Sequence, residues 1–239
     1  MTDPVVAEYR PGWPPSSFLA QLPGECLAAL LAAGQWVSFA ADEVLVDEDA
    51  VDDDVFLLVS SYVKVTGRLG RHDALLAVRG AGDLVGEFAA IDGNPRSATV
   101  RACGRRPVVA VRLSAESFWA VVGRDRAAAK LVASIVAGKA RASNRRRVDY
   151  TGVGPPVRVA RLVRELAELY GTEVAGSMVI GLDLTQLELG SFVGVTRATA
   201  ERALRQLREA GLLETGGRRL VVRDQAGLDE VAAGLRSLG

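Results

Sequence analysis

The chain has 239 residues, 49% of them hydrophobic and 24% charged, enough to bury a sizeable core and to build two compact domains. No apolar run approaches the roughly 20 residues of a membrane helix, and Met1 to Arg10 lacks a basic segment followed by an apolar core, so a cytoplasmic protein with no membrane partner is expected. The formal net charge is zero but unevenly spread: residues 1–122 carry 10 basic and 16 acidic side chains, residues 123–156 carry 8 and 2, and residues 157–239 carry 11 and 11.

An acidic front, a basic middle and a balanced back follow from those counts. The front's acids gather in Asp42 to Asp54, which reads as a set of solvated turns. Of the 29 basic residues 26 are Arg, which with the Ala and Gly load points to a GC-rich bacterial source. Cys26 and Cys103 lie far apart without CxxC spacing, so no disulfide framework, zinc site or four-thiolate iron–sulfur cluster is expected. The sole histidine, His72, sits in a polar Gly-Arg-His-Asp setting and reads as a turn residue rather than a haem ligand. There is no Ser-His-Asp set, no HExxH and no P-loop, so an enzyme is not expected, and neither a metal nor a resident cofactor is implied.

In chain order, apolar runs bounded by turn residues predict strands at Val44 to Val46, Val55 to Val65, Ala74 to Val78 and Val108 to Leu113. Closely spaced strands of this kind suggest a small antiparallel barrel or double-sheet jelly roll. Between the later strands lies GDLVGEFAAIDGNPRSATVR, residues 82–101. A ribose cyclic phosphate needs a carboxylate for its 2′-hydroxyl, backbone N–H groups that the phosphate can approach, and a fixed cation. Glu87, Gly86 and Arg96 are residue types that supply these; Arg offers a planar fork to phosphate oxygens, and Ser97 adds a hydroxyl and an N–H. Phe88, Ala89 and Ala98 complete the candidate site. Singly, each residue has a duller explanation as a surface pair or a general acid.

The ordered set resembles the phosphate-binding cassette of cyclic-nucleotide-binding domains. The resemblance implies a jelly roll whose pocket takes cAMP, or failing that cGMP, as effector, although such a fold can also persist after its ligand is lost or exchanged. Where relatives carry turn glycines, this chain has Asp42, Asp49 and Ser61. Asp tolerates the left-handed region better than most residues, and Ser61 is the harder one to place.

From Arg124 to about Tyr150 the pattern is helical, with Ala128, Leu131, Ile135, Gly138 and Ala142 spaced as a coiled-coil seam. Either a dimer interface or a helix packed on its own barrel would produce it. Thr151 to Pro156 breaks the helix and is the hinge candidate, after which Val157 to Tyr170 resumes as an amphipathic helix capped at Gly171.

Residues 185–207 carry two helix starts a short turn apart. Thr185 and Glu188 make a capping box, Gly194 sits in the turn, and Thr196 caps the second helix. Ala200, Ala203, Leu204 and Leu207 form an inward face, while Arg197, Ala198, Arg202 and Arg205 look outward. A helix-turn-helix presents the first turns of its second helix to the major groove, where Arg reads guanine; a helical hairpin with ordinary surface arginines is the bland alternative. Thr185, Gln186, Thr196, Arg197, Ala198, Thr199, Arg202 and Arg205 are the candidate DNA contacts. Leu212 to Arg223, centred on Gly216 and Gly217, fits a wing hairpin.

This stretch resembles the winged helix-turn-helix of the Crp/Fnr family, and with the cassette and the long helix the resemblance covers nearly the whole chain. It implies an α+β protein with an N-terminal cyclic-nucleotide-binding β jelly roll and flanking helices (1–123), a dimerisation helix (124–150), a hinge (151–156) and a C-terminal winged helix-turn-helix (157–239). It also implies a homodimeric transcription regulator that binds a palindromic double-stranded operator under allosteric control and meets RNA polymerase. Ser143 and Asn144 fall where members of the family offer two adjacent polar side chains, one from each subunit, to the adenine. Many relatives carry Glu after the arginine matching Arg197, where this chain has Ala198. The alternatives are a regulator of the same fold that needs no ligand or answers another small anion, and a non-transcriptional cyclic-nucleotide signalling module.

Overall fold

The computed structural model describes residues 8–70, 72–216 and 219–238. It divides into one unit containing the residues up to Arg68 together with Leu76–Arg141, and a second containing Leu69–Leu75 and the residues from Ala142 onward. The N-terminal segment up to residue 7 and Gly217 of the wing, both used in the sequence reading, lie outside the described residues.

In the first unit, α1 (Phe18–Gln21) and α2 (Gly24–Ala33) lead into a double antiparallel sheet. The strands are β1 (Gln35–Phe39), β2 (Val44–Val46), β3 (Val55–Leu58), β4 (Tyr62–Leu69), β5 (His72–Gly80), β6 (Leu84–Val85), β7 (Thr99–Ala102) and β8 (Val108–Leu113). One sheet runs β1-β8-β3-β6 and the other β2-β7-β4-β5, which is the jelly roll expected from the strand spacing. Helix α3 (Glu87–Asp92) interrupts the strands between β6 and β7, and α4 (Ala115–Val122) and α5 (Arg126–Tyr150) follow β8.

Residue period decides which core each side chain joins. Along β3, Phe56 and Leu58 point between the sheets with Val46, Val63, Val85, Val100 and Ala110. Val55 and Leu57 point the other way, into a cluster with Phe18, Leu30, Phe118 and Val122 from the helices. A strand buried on both faces has no polar alternation. The expected single run Val55 to Val65 is in fact two strands, separated by a turn at residues 59–61. His72 opens β5 and is exposed, so it is a strand residue and not the expected turn.

Asp42, Asp49 and Ser61 all adopt left-handed backbone, with φ of 69°, 67° and 63°. The turns for which the resemblance implies glycine are therefore kept without it. Ser61 is held there by donating from Oγ to the Arg106 carbonyl at 2.9 Å.

The second unit contains the C-terminal part of α5, then α6 (Pro155–Tyr170), α7 (Gln186–Phe192), α8 (Arg197–Glu209) and α9 (Gln225–Ala233). Pro155 and Pro156 open α6 rather than ending the expected hinge. A helix's first turn has no use for their missing N–H groups, so the prolines fit at its start. A four-stranded sheet, β11-β12-β10-β9, packs with these helices; its strands are β9 (Gly171–Val174), β10 (Ser177–Ile180), β11 (Leu213–Gly216) and β12 (Arg219–Val222).

Phe118 is fully buried, with its ring centroid 6.5 Å from Phe18 and 5.1 Å from Trp119. Truncating it to Ala should cost about 3–5 kcal/mol. Urea unfolding followed by tryptophan fluorescence measures this cleanly, because Trp13, Trp36 and Trp119 all lie in the first unit.

Candidate functional site

The cassette is built around a buried arginine. Arg96 is 3% exposed and spends its donors on the protein: Nη1 donates to the Gly86 carbonyl at 2.8 Å and Nη2 to the Asp54 carbonyl at 2.8 Å. Nε donates to Asp52 Oδ1 at 3.0 Å, and Nη2 reaches the same carboxylate oxygen. Its backbone is pinned as well, with N donating to Ala50 O at 3.0 Å and O accepting from Asp49 N at 2.9 Å.

Gly86 has φ +84°, and a Cβ there would stand 2.6 Å from the Asp54 carbonyl oxygen and 2.9 Å from Arg96 Nη1. Glycine is required both by the backbone and by the closeness of the guanidinium. The next residue, Glu87, starts α3 and is 3% exposed. Its Oε1 accepts from Lys139 Nζ at 2.7 Å, and the same ammonium donates to the Leu84 carbonyl at 2.7 Å. Burial pushes the Lys139 ammonium below the usual lysine range, while Glu87 opposes that shift. Trp119 Nε1 donates to the Ala90 carbonyl at 2.7 Å and ties α3 to α4.

Gly86, Glu87 and Arg96 are thus brought together, with Ala89 buried beneath α3 and Phe88 left 40% exposed. Ser97 is exposed and Ala98 half-buried. Ser143 and Asn144 occupy exposed positions on α5 within the second unit. A cleft of about 440 Å³ opens in the first unit along Val37 to Phe39 and Val44, with Asp52, Asp54 and Arg112 as its charged lining. Asp52 and Lys139 were missed in the sequence. Each meets its partner across more than 40 residues, and no local spacing announces such a contact.

Along α5, Ala128 is fully buried and Val132 nearly so, both within the first unit's helical core, and Leu131 and Ile135 pack against that core. The upper part of the seam therefore serves its own barrel. Gly138 is half-buried, with nothing within 4 Å of a Cβ added there, and Ala142 is exposed.

In the second unit, Thr185 N donates to Glu188 Oε2 at 2.7 Å and Glu188 N to Thr185 Oγ1 at 3.1 Å, closing the capping box at the start of α7. Thr196 Oγ1 accepts from Thr199 N at 3.2 Å and caps α8. Ala200, Ala203, Leu204 and Leu207 are buried, and Arg197, Ala198, Arg202 and Arg205 are exposed; Gln186 and Thr199 are half-buried. Gly194 in the turn relieves no crowding: a Cβ there would meet only Arg158 Nη1 at 3.8 Å, and glycine is used for its φ of +68°. The close crossing is at Gly190, where a Cβ would lie 3.1 Å from Val195 O and 3.2 Å from Ala200 Cβ. Arg197 Nε donates to Glu201 Oε1 at 2.7 Å, placing a carboxylate beside the first outward arginine. In the wing, Arg223 joins Glu214 and Ser177 Oγ, each at 2.9 Å.

Residues 36–125 match a family model described as a cyclic nucleotide-binding domain, and residues 157–231 match one described as a Crp-like helix-turn-helix domain. The chain belongs to the Crp/Fnr family of transcription regulators. It is 28% identical over 200 residues to the CRP-like cAMP-activated global transcriptional regulator of Mycobacterium tuberculosis, covering 83% of this chain and 88% of that one. Its fold is shared by a CRP-family transcriptional regulator of Thermus thermophilus, with a TM-score of 0.70, 21% identity and coverage of 85% and 98%. It is likewise shared by the c-di-GMP responsive global regulator CLP of Xanthomonas campestris, at 0.71, 18%, 84% and 99%. Crp/Fnr proteins are DNA-binding regulators with a cyclic-nucleotide-binding domain, and not enzymes. Among the described residues no helix is long and apolar enough to cross a membrane.

Gly190→Val should cost about 1–3 kcal/mol by overpacking the α7–α8 crossing, whereas Gly24→Ala, at an exposed position with open space around its Cβ, should not destabilise the chain. Chemical denaturation of the two variants checks the contrast.

Proposed function

We propose that this regulator is a homodimer whose affinity for a palindromic operator is set by cAMP bound at the cassette. The observation that carries the reading is Arg96, a nearly inaccessible cation fixed by the Gly86 and Asp54 carbonyls beside the buried carboxylate of Glu87. A preset guanidinium next to a carboxylate matches a ribose cyclic phosphate, the guanidinium taking phosphate oxygens and the carboxylate the 2′-hydroxyl. Ser97 supplies a hydroxyl at the phosphate, and the N–H groups of Phe88 and Ala89 lie at the start of α3. Ser143 and Asn144 of the dimerisation helix, residues 124–150, would meet the base, with one of the two coming from the second copy. The relative from Mycobacterium tuberculosis, described as cAMP-activated, favours cAMP over cGMP as effector.

In this reading residues 1–123 are the effector domain and residues 157–239 the DNA-binding domain. Gly138 and Ala142 face the second copy, the half-buried Leu131 and Ile135 offer it only the part of their surface that their own core leaves open, and Ala128 is committed to its own core. The ligand acts by its differential affinity for two arrangements of the long helices. One arrangement sets the recognition helices about one DNA turn apart. Glu87 links the ribose to α5 directly through Lys139. On the DNA, Arg197 and Arg202 read guanine and Arg205 approaches the backbone, with Thr185, Gln186, Thr196 and Thr199 near the phosphates. RNA polymerase is the further partner that a transcription regulator of this family would meet.

Calorimetric titration with cAMP and cGMP tests the pocket. Arg96→Ala should lose about 2–5 kcal/mol of nucleotide affinity. Because Arg96 also holds two carbonyls, Glu87→Gln, which keeps the side-chain shape, serves as a second variant, with the folding of both verified by circular dichroism. Undiminished affinity in both variants would refute the assignment. Ala198 cannot accept from cytosine N4, so selection of bound DNA should return a site that is relaxed at the base pair its family counterpart Glu reads, with guanine retained opposite Arg197 and Arg202. Equal stringency at that base pair would contradict the recognition scheme.

A further inference from the structure

Arg96 already has an anion on it. Asp52 Oδ1 accepts from Nε at 3.0 Å and from Nη2 of the same guanidinium, the edge through which an arginine takes two oxygens of a phosphate. The other donors point inward to the carbonyls of Gly86 and Asp54, so they hold the guanidinium without competing for a ligand. We infer that Asp52 is an internal phosphate mimic, which a cyclic nucleotide must displace from Arg96 in order to bind. The inference rests on the cyclic-nucleotide reading of the cassette and adds to it an element that weakens the site.

The two members of the pair differ in what they lose on separation. The Arg96 side chain is 2% exposed and cannot turn to water, whereas the Asp52 side chain is 49% exposed, and its residue borders the open cleft beside β2 and β3. Displacement therefore moves Asp52 into solvent, where a carboxylate is well hydrated, and leaves Arg96 in place to receive the phosphate. Both anions cannot share the edge, because like charges at contact distance repel strongly at a partly desolvated site. Asp53 and Asp54 do not duplicate the role. Asp54 directs its carboxylate to Arg112 Nε at 2.5 Å and offers Arg96 only its backbone oxygen, and Asp53 is exposed on the same loop. The acidic run Asp52 to Asp54 thus contains one residue aimed at the phosphate site, and is more than a solvated turn.

The consequence is a raised threshold: the effector must reach a higher concentration than the pocket alone would need, and an anion weaker than a phosphate would fail to displace the carboxylate. The test is calorimetric titration of the full chain with cAMP, comparing the wild type with Asp52→Ala, Asp52→Asn and the charge-matched control Asp53→Ala. The inference predicts at least tenfold tighter binding for both Asp52 variants and less than a threefold change for Asp53→Ala. Equal tightening by Asp52→Ala and Asp53→Ala would reduce the effect to general charge and overturn the inference. Unchanged affinity in the Asp52 variants, with nucleotide still bound, overturns it too and leaves the pocket intact. No binding of cAMP or cGMP by any of the four proteins, with folding verified by circular dichroism, would overturn the pocket reading itself.

Discussion

A cation buried to the extent of Arg96 is tolerated only if acceptors surround it, and that requirement shapes everything near it in the first unit. Two of the acceptors are backbone carbonyls, so the chain must bring the end of β6 and the loop before β3 to one point. This convergence forces glycine at 86, since any Cβ would collide with one of the two partners. Glycine in turn directs the chain into α3, whose first residue is Glu87. In the proposed function the same cation that organises the loop would give a ligand its phosphate contact, making the folding constraint and the binding chemistry two uses of one side chain. Lys139 answers the matching constraint on the carboxylate, and through it α5 meets the cassette.

The second unit follows a different logic. Its recognition helix is positioned by caps and by one close crossing, and its charges remain outside. Gly190 lets α7 approach α8, Thr185 and Glu188 satisfy the orphan N–H groups of α7, and Arg208 donates from Nη1 to Thr215 Oγ1 at 2.7 Å to join α8 to the wing. The exposed arginines of α8 are therefore carried on a rigid support. A balanced charge over residues 157–239 is compatible with DNA binding because the basic groups of α8 share one face, and local arrangement rather than the total governs attraction to phosphates.

What could be read from sequence was local. The capping box, the buried face of α8 and the Gly86–Glu87 and Arg96–Ser97 pairs depend on spacings of a few residues, which periodicity and side-chain chemistry expose. Features that depend on distant partners were hidden: Asp52 and Arg96 are 44 residues apart, and Glu87 and Lys139 are 52. The β9–β10 hairpin escaped for another reason. Its two-residue turn uses Ala175 at φ 49° before Gly176 at 75°, and alanine carries no turn signal. The run from Val55 to Val65 concealed a turn because Ser61 takes a left-handed conformation that glycine normally marks. Of the two glycines of the helix-turn-helix only Gly194 stood out in the sequence, and it supplies backbone freedom; the space is supplied by Gly190, which lies inside a helix where no turn marks it.

In the proposed mechanism, nucleotide at the Arg96 site controls affinity for DNA. The direct measurement is fluorescence anisotropy of a selected operator with the full chain, at fixed ionic strength, without nucleotide and with saturating cAMP; the salt must be held constant because phosphate contacts alone make affinity salt-dependent. A clear difference in operator affinity between the two conditions is expected, with non-specific DNA affinity unchanged by cAMP. Operator affinity that is the same with and without cAMP, in protein shown by calorimetry to have bound it, would rule that mechanism out.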